Sequence, residues 1–208
     1  RVALNGTDVT SVFRHDETGH TLTGLVTGLV VGRNTVSVAV GRLGEAGATQ
    51  LSIVNHPTIG PVVSGPHEQP FVCQTESFEL QSGQTLGTPV DADCSIERRV
   101  DYYYRSTAGG ALKPLPSDVT PPDLANASIL DGHTVPYVVR IETGTINRGI
   151  YQIAMLHDPA SDPTPDPWSP SAGWNRRLIY THGGGCVRGW YRQGTNTGGV
   201  DNDVMLRQ

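Results

Sequence analysis

A short segment near the end of the chain has the residue types needed to stabilise a developing oxyanion. It runs His182-Gly183-Gly184-Gly185-Cys186 and is called the glycine segment below. Three successive glycines let a backbone turn sharply and bring its N–H groups close to a ligand with no side chain in the way. Such amide donors stabilise the negative oxygen of an acyl-transfer intermediate. The alternative is a plain glycine turn, which the three glycines fit equally well.

The glycine segment needs ordered elements around it, and residues 134–208 supply candidates. The apolar run Leu178-Ile179-Tyr180 directly before it predicts a short buried strand. Two earlier apolar runs, Val135 to Ile141 and Gly149 to Leu156, predict a β-hairpin whose longish loop spans 142–148. After the segment, Asp201-Asn202-Asp203 predicts the capped start of a helix.

Residues 1–56 are predicted to form a small β domain. Asn5-Gly6 is a strong turn signal, and short apolar runs separated by turns follow it. The run 35–40 has the clearest period of two, which predicts that Val36, Val38 and Val40 face a core while Ser37 and Ala39 face away. Regular short strands favour an immunoglobulin-like β-sandwich. Alternatively, these strands belong to one larger β fold.

Residues 57–133 are predicted to be a proline-rich connector with short strands, because the prolines of 57–70 exclude both helix and central strand there and four more prolines interrupt the chain between 114 and 122. One exception is the run from Ile96 to Arg105, whose tyrosines at 102–104 predict a strand that places aromatic surface on a neighbour. His56, His67 and Glu68 lack metal-ligand spacing and are interpreted as polar loop residues.

A second proline-rich stretch, 157–173, carries Asp158, Asp162 and Asp166. These aspartates have the chemistry to hold calcium, but their spacing is not that of an EF-hand loop. The prolines predict a rigid surface excursion instead. We therefore expect no metal and no cofactor.

The three cysteines predict one disulfide. Cys73 and Cys94 flank a polar segment with few apolar residues of its own. A disulfide between them would close this loop and stabilise the folded protein by about 3 kcal/mol. The alternative is a pair of buried thiols in a cytosolic protein. Cys186 is left over, and in an oxidising compartment it would pair with a cysteine outside this chain.

Composition limits the possible functions. The formal net charge of −5 and the pI of about 5.7 argue against a nucleic-acid partner. Abundant glycine and proline with only 17% charged residues favour a turn-rich β protein over a helical bundle. No apolar run approaches the length of a membrane span, and no apolar leader begins the chain, so a signal peptide would already have been removed. A secreted or periplasmic protein is expected.

Three stretches of the chain carry a family resemblance. Ser52-Ile53-Val54-Asn55-His56-Pro57, the run from Ser64 to Phe71 and the run Ile179-Tyr180-Thr181 with the glycine segment resemble a family of secreted bacterial α/β-hydrolase-like proteins with an N-terminal β-sandwich. The glycine segment matches the HGGG-type oxyanion loop of lipases and esterases. The resemblance assigns Gly183, Gly184, Gly185 and Cys186 to the oxyanion loop, and implies that the chain is the N-terminal part of such a protein.

The expected nucleophile is not in this sequence. No Gly-x-Ser-x-Gly motif occurs in the 208 residues, and α/β-hydrolases carry their serine, acid and histidine after the third strand. His182 is therefore expected to brace the loop rather than act as the triad base. The C-terminal remainder of the protein, as a second chain, is the expected partner, because it would complete the sheet beside the Leu178 run.

Three classes of function follow from these observations. The first is a serine hydrolase half that acts on an ester or related acyl bond, small or polymeric. The second is a non-catalytic module that binds a polymer or a cell surface through aromatic residues (Tyr102, Tyr103, Tyr104, Trp190 and Tyr191), although core packing explains the same residues equally well. The third, with Cys186 as nucleophile, is the weakest because no acid–base pair is evident nearby.

Overall fold

A computed structural model describes residues 1–16, 18–40, 48–62, 65–181 and 191–207 of the chain. The chain divides into two compact units, Arg1–Pro57 and Thr58–Gln208. Their regular secondary structure is mainly antiparallel strand, as the composition predicted.

The first unit contains two antiparallel sheets. Its six strands are β1 (Val2–Leu4), β2 (Thr7–Asp8), β3 (Phe13–His15), β4 (Leu22–Gly24), β5 (Gly32–Ala39) and β6 (Ala48–Asn55). One sheet has the order β2-β1-β5-β6, and the other pairs β3 with β4. The regular structure of this unit is thus mainly antiparallel strand. Asn5 and Gly6 connect β1 to β2 with φ angles of 48° and 87°, which is the left-handed pair that an Asn-Gly hairpin turn adopts.

The predicted core face of β5 is wrong. Val38 is 39% exposed and Val40, which follows the strand, is 81% exposed. The period of two still holds, because Val36 and Val38 pair with Leu4 and Val2 and so share their face of the sheet. That face is buried over β1, but on β5 it is buried at Asn34 and exposed at Val38, so alternation identified the apolar face but not how far other residues cover it.

The second unit is organised around a four-stranded antiparallel sheet of order β12-β11-β7-β8. The strands of this unit are β7 (Arg99–Tyr104), β8 (Lys113–Pro114), β9 (Asn126–Ser128), β10 (Thr134–Pro136), β11 (Val138–Ile146) and β12 (Gly149–Leu156). β9 and β10 form a separate pair. Residues 57–133, assigned above to a connector, thus contribute β7, β8 and β9.

The predicted hairpin is confirmed, but its loop is shorter than expected. β11 continues to Ile146 and β12 begins at Gly149, so Asn147 and Arg148 alone form the turn, with φ angles of 48° and 64°. Residues 142–146 lie in the predicted loop, between the two apolar runs. In the sheet they are strand, since their backbone groups pair with β12.

The core of the second unit lies on one face of this sheet. Eight buried residues form it: Tyr103, Leu112, Ala127, Ile129, Tyr137, Val139, Ile141 and Leu156. The predicted C-terminal helix is present as α1 (Asp203–Arg207), and Leu206 packs against the core. The Asn202 side chain caps α1 by accepting bonds from the N–H groups of Val204 and Met205 at 3.0 and 3.2 Å.

All described pairings in this sheet are antiparallel. The Leu178 run is not one of its strands. Leu178 is 88% exposed and Ile179 is 44% exposed, so the prediction of a short buried strand is wrong. An apolar run shows that a segment is able to be a strand, but it does not provide the neighbour whose backbone would pair with it.

Candidate functional site

The glycine segment itself, His182, Gly183, Gly184, Gly185 and Cys186, lies outside the described residues, as does Trp190. The structure describes the chain on both sides of it. The incoming side ends at Thr181 and the outgoing side begins at Tyr191. The candidate site is therefore built from the contacts that hold these two flanks.

The incoming flank is held by a small relay of side-chain hydrogen bonds. The Thr181 hydroxyl donates to the carbonyl oxygen of Thr197 at 3.3 Å. The Thr197 hydroxyl in turn donates to Oε1 of Gln152 on β12 at 2.6 Å. Thr181 is thus linked through Thr197 to the central sheet, while the apolar residues before it remain exposed.

The outgoing flank is held by backbone pairing. The Val72 N–H donates to the carbonyl of Tyr191 at 2.9 Å, and the Gln193 N–H donates to the carbonyl of Val72 at 2.9 Å. This is a parallel bridge between Val72 and Arg192. Val72 directly precedes Cys73, so the outgoing flank lies beside the disulfide.

The predicted disulfide is confirmed. Cys73 and Cys94 are bonded, with their Cα atoms 5.2 Å apart. Cys94 is fully buried and has a φ of 61°, a left-handed backbone conformation that is unusual for a residue other than glycine. The bond therefore fixes a strained residue at the end of an otherwise polar loop.

Gln193 joins the outgoing flank to three other segments, and this arrangement is called the Gln193 junction below. Its side chain is buried, with 2% of the residue exposed. Oε1 accepts a bond from the Gln74 N–H at 3.0 Å, while Nε2 donates to the carbonyl oxygens of Cys94 and Arg148, each at 3.0 Å. Both side-chain N–H groups and the side-chain carbonyl are thus satisfied by backbone groups. No local pattern in the sequence indicates this role for Gln193.

His67 supports the same region and is more than a polar loop residue. Its Nδ1 lies 3.3 Å from Oδ1 of Asp93, and its Nε2 lies 2.9 Å from Oδ1 of Asn147. Asp93 precedes Cys94 and Asn147 precedes Arg148, so His67 joins the two segments that Gln193 also joins. A loop histidine without ligand spacing carries no signal of such a role in a single sequence.

The aspartates of 157–173 stabilise turns. Asp162 Oδ2 accepts bonds from the Ser171 hydroxyl at 2.9 Å and from the Asp158 N–H at 3.0 Å, and lies 3.6 Å from Nδ1 of buried His157. Asp166 accepts from the N–H groups of Trp168 and Ser169. In the described part of the chain, no group of three His, Cys, Asp or Glu residues is arranged to hold a metal ion.

A groove of about 710 Å³ forms a second candidate site in this unit. Its walls include Tyr102 on β7, Pro114 on β8, Pro116 just beyond β8, and the carboxylates Asp118 and Asp158. Tyr103 and Tyr104 are 3% and 8% exposed, so core packing accounts for most of their surface. Tyr102 is the one residue of the three tyrosines that is not buried.

Comparison with known proteins places the chain in a family. All of it, residues 1–208, matches the model of the tannase-like family of unknown function (DUF6351), and the chain belongs to that family. Comparisons with curated proteins and with solved structures give no match. The tannase-like description indicates a hydrolase-type function of the esterase kind. Among the described residues no helix is long and apolar enough to cross a membrane.

Proposed function

We propose that this chain is the N-terminal part of a secreted serine hydrolase that cleaves an ester or a related acyl bond. The observation that carries the proposal is the match of the whole chain to a tannase-like family. The HGGG-type glycine segment agrees with it. The disulfide between Cys73 and Cys94 is consistent with an extracellular location.

In the proposed reaction, a serine hydroxyl attacks the acyl carbon and the carbonyl oxygen becomes an oxyanion. The backbone N–H groups of Gly184, Gly185 and Cys186 donate hydrogen bonds to that oxygen. Removal of one such donor typically raises the barrier by about 3 kcal/mol. His182 braces the loop through its side chain. Collapse of the intermediate releases the alcohol, and water then hydrolyses the acyl-serine.

The contacts of the two flanks support this role for the segment between them. An oxyanion site works when its donors are held in place before the substrate arrives. Thr181 is linked to β12 through Thr197, and Gln193 is linked to the disulfide loop and to the β11–β12 turn. Both the incoming and the outgoing flank of the segment that carries the proposed donors are therefore attached to ordered structure.

The nucleophile and its partners are proposed to come from the C-terminal remainder of the protein, present as a second chain. Exposed Leu178 and Ile179 are the proposed place where that remainder packs. The first unit is proposed to be an immunoglobulin-like β-sandwich that accompanies this hydrolase domain.

The test is steady-state hydrolysis of p-nitrophenyl acetate and butyrate by the native protein with everything that copurifies with it. Gly184→Val is expected to lower turnover by roughly a hundredfold or more while the far-ultraviolet spectrum stays unchanged. Gly65→Val is the matched control, because a Cβ at Gly65 meets no atom within 4 Å. Equal turnover in both variants would show that the glycine segment is an ordinary turn.

The groove at Tyr102 favours a second candidate, a module that binds a polymer. Tyrosine and proline faces suit the apolar faces of sugar rings, while Asp118 and Asp158 offer acceptors for hydroxyl groups. Native electrophoresis through gels that contain soluble starch, xylan or mannan tests it. Retardation that Tyr102→Ala abolishes would support this candidate, and migration unchanged in all three gels would refute it for these polymers.

A further inference from the structure

The Gln193 junction connects two backbone positions that are strained in the same way. Cys94 and Arg148 both have left-handed φ angles, 61° and 64°, and neither is a glycine. Conformations of this kind cost of order 1 kcal/mol or more each and persist only where the surroundings hold them. Here the carbonyl oxygens of both residues accept from the same amide nitrogen, Nε2 of Gln193.

The buried amide also fixes the chain direction of the outgoing flank. The backbone N–H of Gln193 donates to the Val72 carbonyl, and the side-chain Oε1 accepts from the Gln74 N–H. Gln193 is therefore bonded on either side of Cys73. Gln193 is thus attached through its backbone at Val72 and through its side chain at Gln74, Cys94 and Arg148. Loss of the side-chain amide would leave one N–H and two carbonyl groups buried without partners, which is costly for each group.

The attachments extend beyond Gln193. The Arg148 guanidinium lies 4.0 Å from the centre of the Phe71 ring and donates to the Glu68 carbonyl at 3.0 Å. A β-carbon at Gly60 would lie 2.8 Å from His67 Nε2. The segment at Gly60 therefore packs closely against the histidine that bridges Asp93 and Asn147. The residues that Gln193 bonds are therefore themselves held by further close contacts.

We infer that Gln193 is a positioning residue for the proposed ester hydrolysis, and that the disulfide between Cys73 and Cys94 holds it in place. This inference rests on the proposed function. Gln193 touches no reacting atom; it fixes the outgoing flank, which follows the proposed oxyanion donors in the chain. A displacement of such donors by about 1 Å lowers the catalytic rate by up to about a hundredfold.

The test compares two substitutions with a control. Gln193→Met keeps the length of the side chain but loses every hydrogen bond of the amide. Gln193→Glu keeps the shape and the acceptor for Gln74, yet places an oxygen against the carbonyls of Cys94 and Arg148. Gln50→Met on exposed β6 is the control. Both Gln193 variants are expected to lower kcat between about tenfold and a hundredfold with KM within about twofold, and Gln50→Met is expected to change neither.

Hydrogen exchange on the same samples distinguishes positioning from general stability. In both Gln193 variants, and in Cys73→Ser/Cys94→Ser, the amides of Val72 and Gln193 should lose more protection than the amide of Ile141 in β11, which falls only by the change in global stability. Unchanged protection at Val72 would overturn the inference, and so would equal loss at Ile141 or a Gln193→Glu variant that behaves as wild type. If wild-type protein hydrolyses no ester, the proposed function fails, while the exchange data still decide whether Gln193 and the disulfide hold the flank.

Discussion

Nε2 of Gln193 donates a 3.0 Å hydrogen bond to the carbonyl oxygen of Cys94, a residue 99 positions earlier in the chain. Both residues are buried, and Cys94 is also half of the disulfide. The bond therefore joins the covalently closed loop 73–94 to the chain that follows the glycine segment.

Removal of the disulfide should destabilise the protein. For a loop with a sequence separation of 21, Cys73→Ser/Cys94→Ser is expected to lower the free energy of unfolding by about 3 kcal/mol, because the unfolded chain regains conformational freedom. Urea denaturation monitored by tryptophan fluorescence measures this loss. Wild-type protein with a strong reductant should fall to the same midpoint. A double variant as stable as oxidised wild type would contradict the prediction.

Tyr137 should stabilise the docking of α1 up to high pH. Its buried hydroxyl donates to Oδ1 of Asp203 at 2.6 Å, and burial first, then this bond, raises the pKa of Tyr137 to about 12. Tyr137→Phe is expected to lower the free energy of unfolding by about 2 kcal/mol at neutral pH. The measurement is urea unfolding at pH 7.

The same bond sets an alkaline pH dependence. Because the pKa of Tyr137 is higher in the folded than in the unfolded protein, its contribution is complete below pH 10 and is lost as the pH rises towards 12. The stability difference between wild type and Tyr137→Phe should therefore shrink between pH 9 and pH 11. Burial also raises the pKa of Tyr103, but that tyrosine is present in both proteins and cancels. A constant difference across this range would refute the assignment.

His157 should make the protein less stable in weak acid. The pKa of this histidine is lowered below 6.5, mainly by burial and further by the positive charge of Arg140. The carboxylates of Asp162 and Asp158 raise the pKa, but by less than burial lowers it. The Tyr102 ring centre lies 6.0 Å from that of His157. The unfolded chain therefore takes up a proton first, so the His157 contribution is complete above about pH 6.5 and is lost as the pH falls below it.

Urea unfolding of wild type and His157→Gln between pH 8 and pH 5 measures this contribution. Wild type should lose stability more steeply than the variant, since the variant has no group to protonate at this position. The carboxylates whose pKa values are lowered, such as that of Asp203, titrate at lower pH and do not affect this window. Parallel curves for the two proteins would contradict the prediction.

Local signals in the sequence were enough to predict several elements. Asn5-Gly6 adopts the turn that its backbone preferences favour, and Asn202 caps α1 through its own side chain. The two cysteines with a polar loop between them are bonded. In each case the cause lies within a few residues or in one covalent bond, so a single sequence contains it.

Burial depends on distant parts of the chain, and there the sequence was a weaker guide. Val38 lies on the apolar face, yet its neighbourhood leaves it exposed, and Leu178 is exposed although its run has the composition of a core strand. Gln193 and His67 are polar residues in plain surroundings, and their roles depend on partners 26 to 119 positions away. No local pattern encodes which segments will meet.

Gly173 should tolerate no side chain. A β-carbon there would lie 2.7 Å from the backbone oxygen of Leu156, which also accepts a bond from the Ser171 hydroxyl. Since Leu156 belongs to the core, the backbone has little room to move, and Gly173→Ala is expected to lower the free energy of unfolding by about 2 kcal/mol. Gly65→Ala, with open space around it, should change stability by less than about 0.5 kcal/mol. Equal urea midpoints for the two variants would contradict the prediction.

His182 offers the sharpest test of how the proposed active site divides its work. In α/β-hydrolases the base that activates serine follows the nucleophile in the chain, whereas His182 precedes the proposed oxyanion donors. Its expected role is to brace the loop, so His182→Ala should lower kcat by about tenfold, less than Gly184→Val and far less than loss of a triad base. The pH profile of kcat/KM for p-nitrophenyl ester hydrolysis distinguishes a bracing histidine from a triad base. A bracing histidine leaves the acidic limb of that profile where it is, because the triad base still titrates. A profile that loses its acidic limb in His182→Ala would identify His182 as the base, and the assignment of the glycine segment to the oxyanion loop would then have to be abandoned.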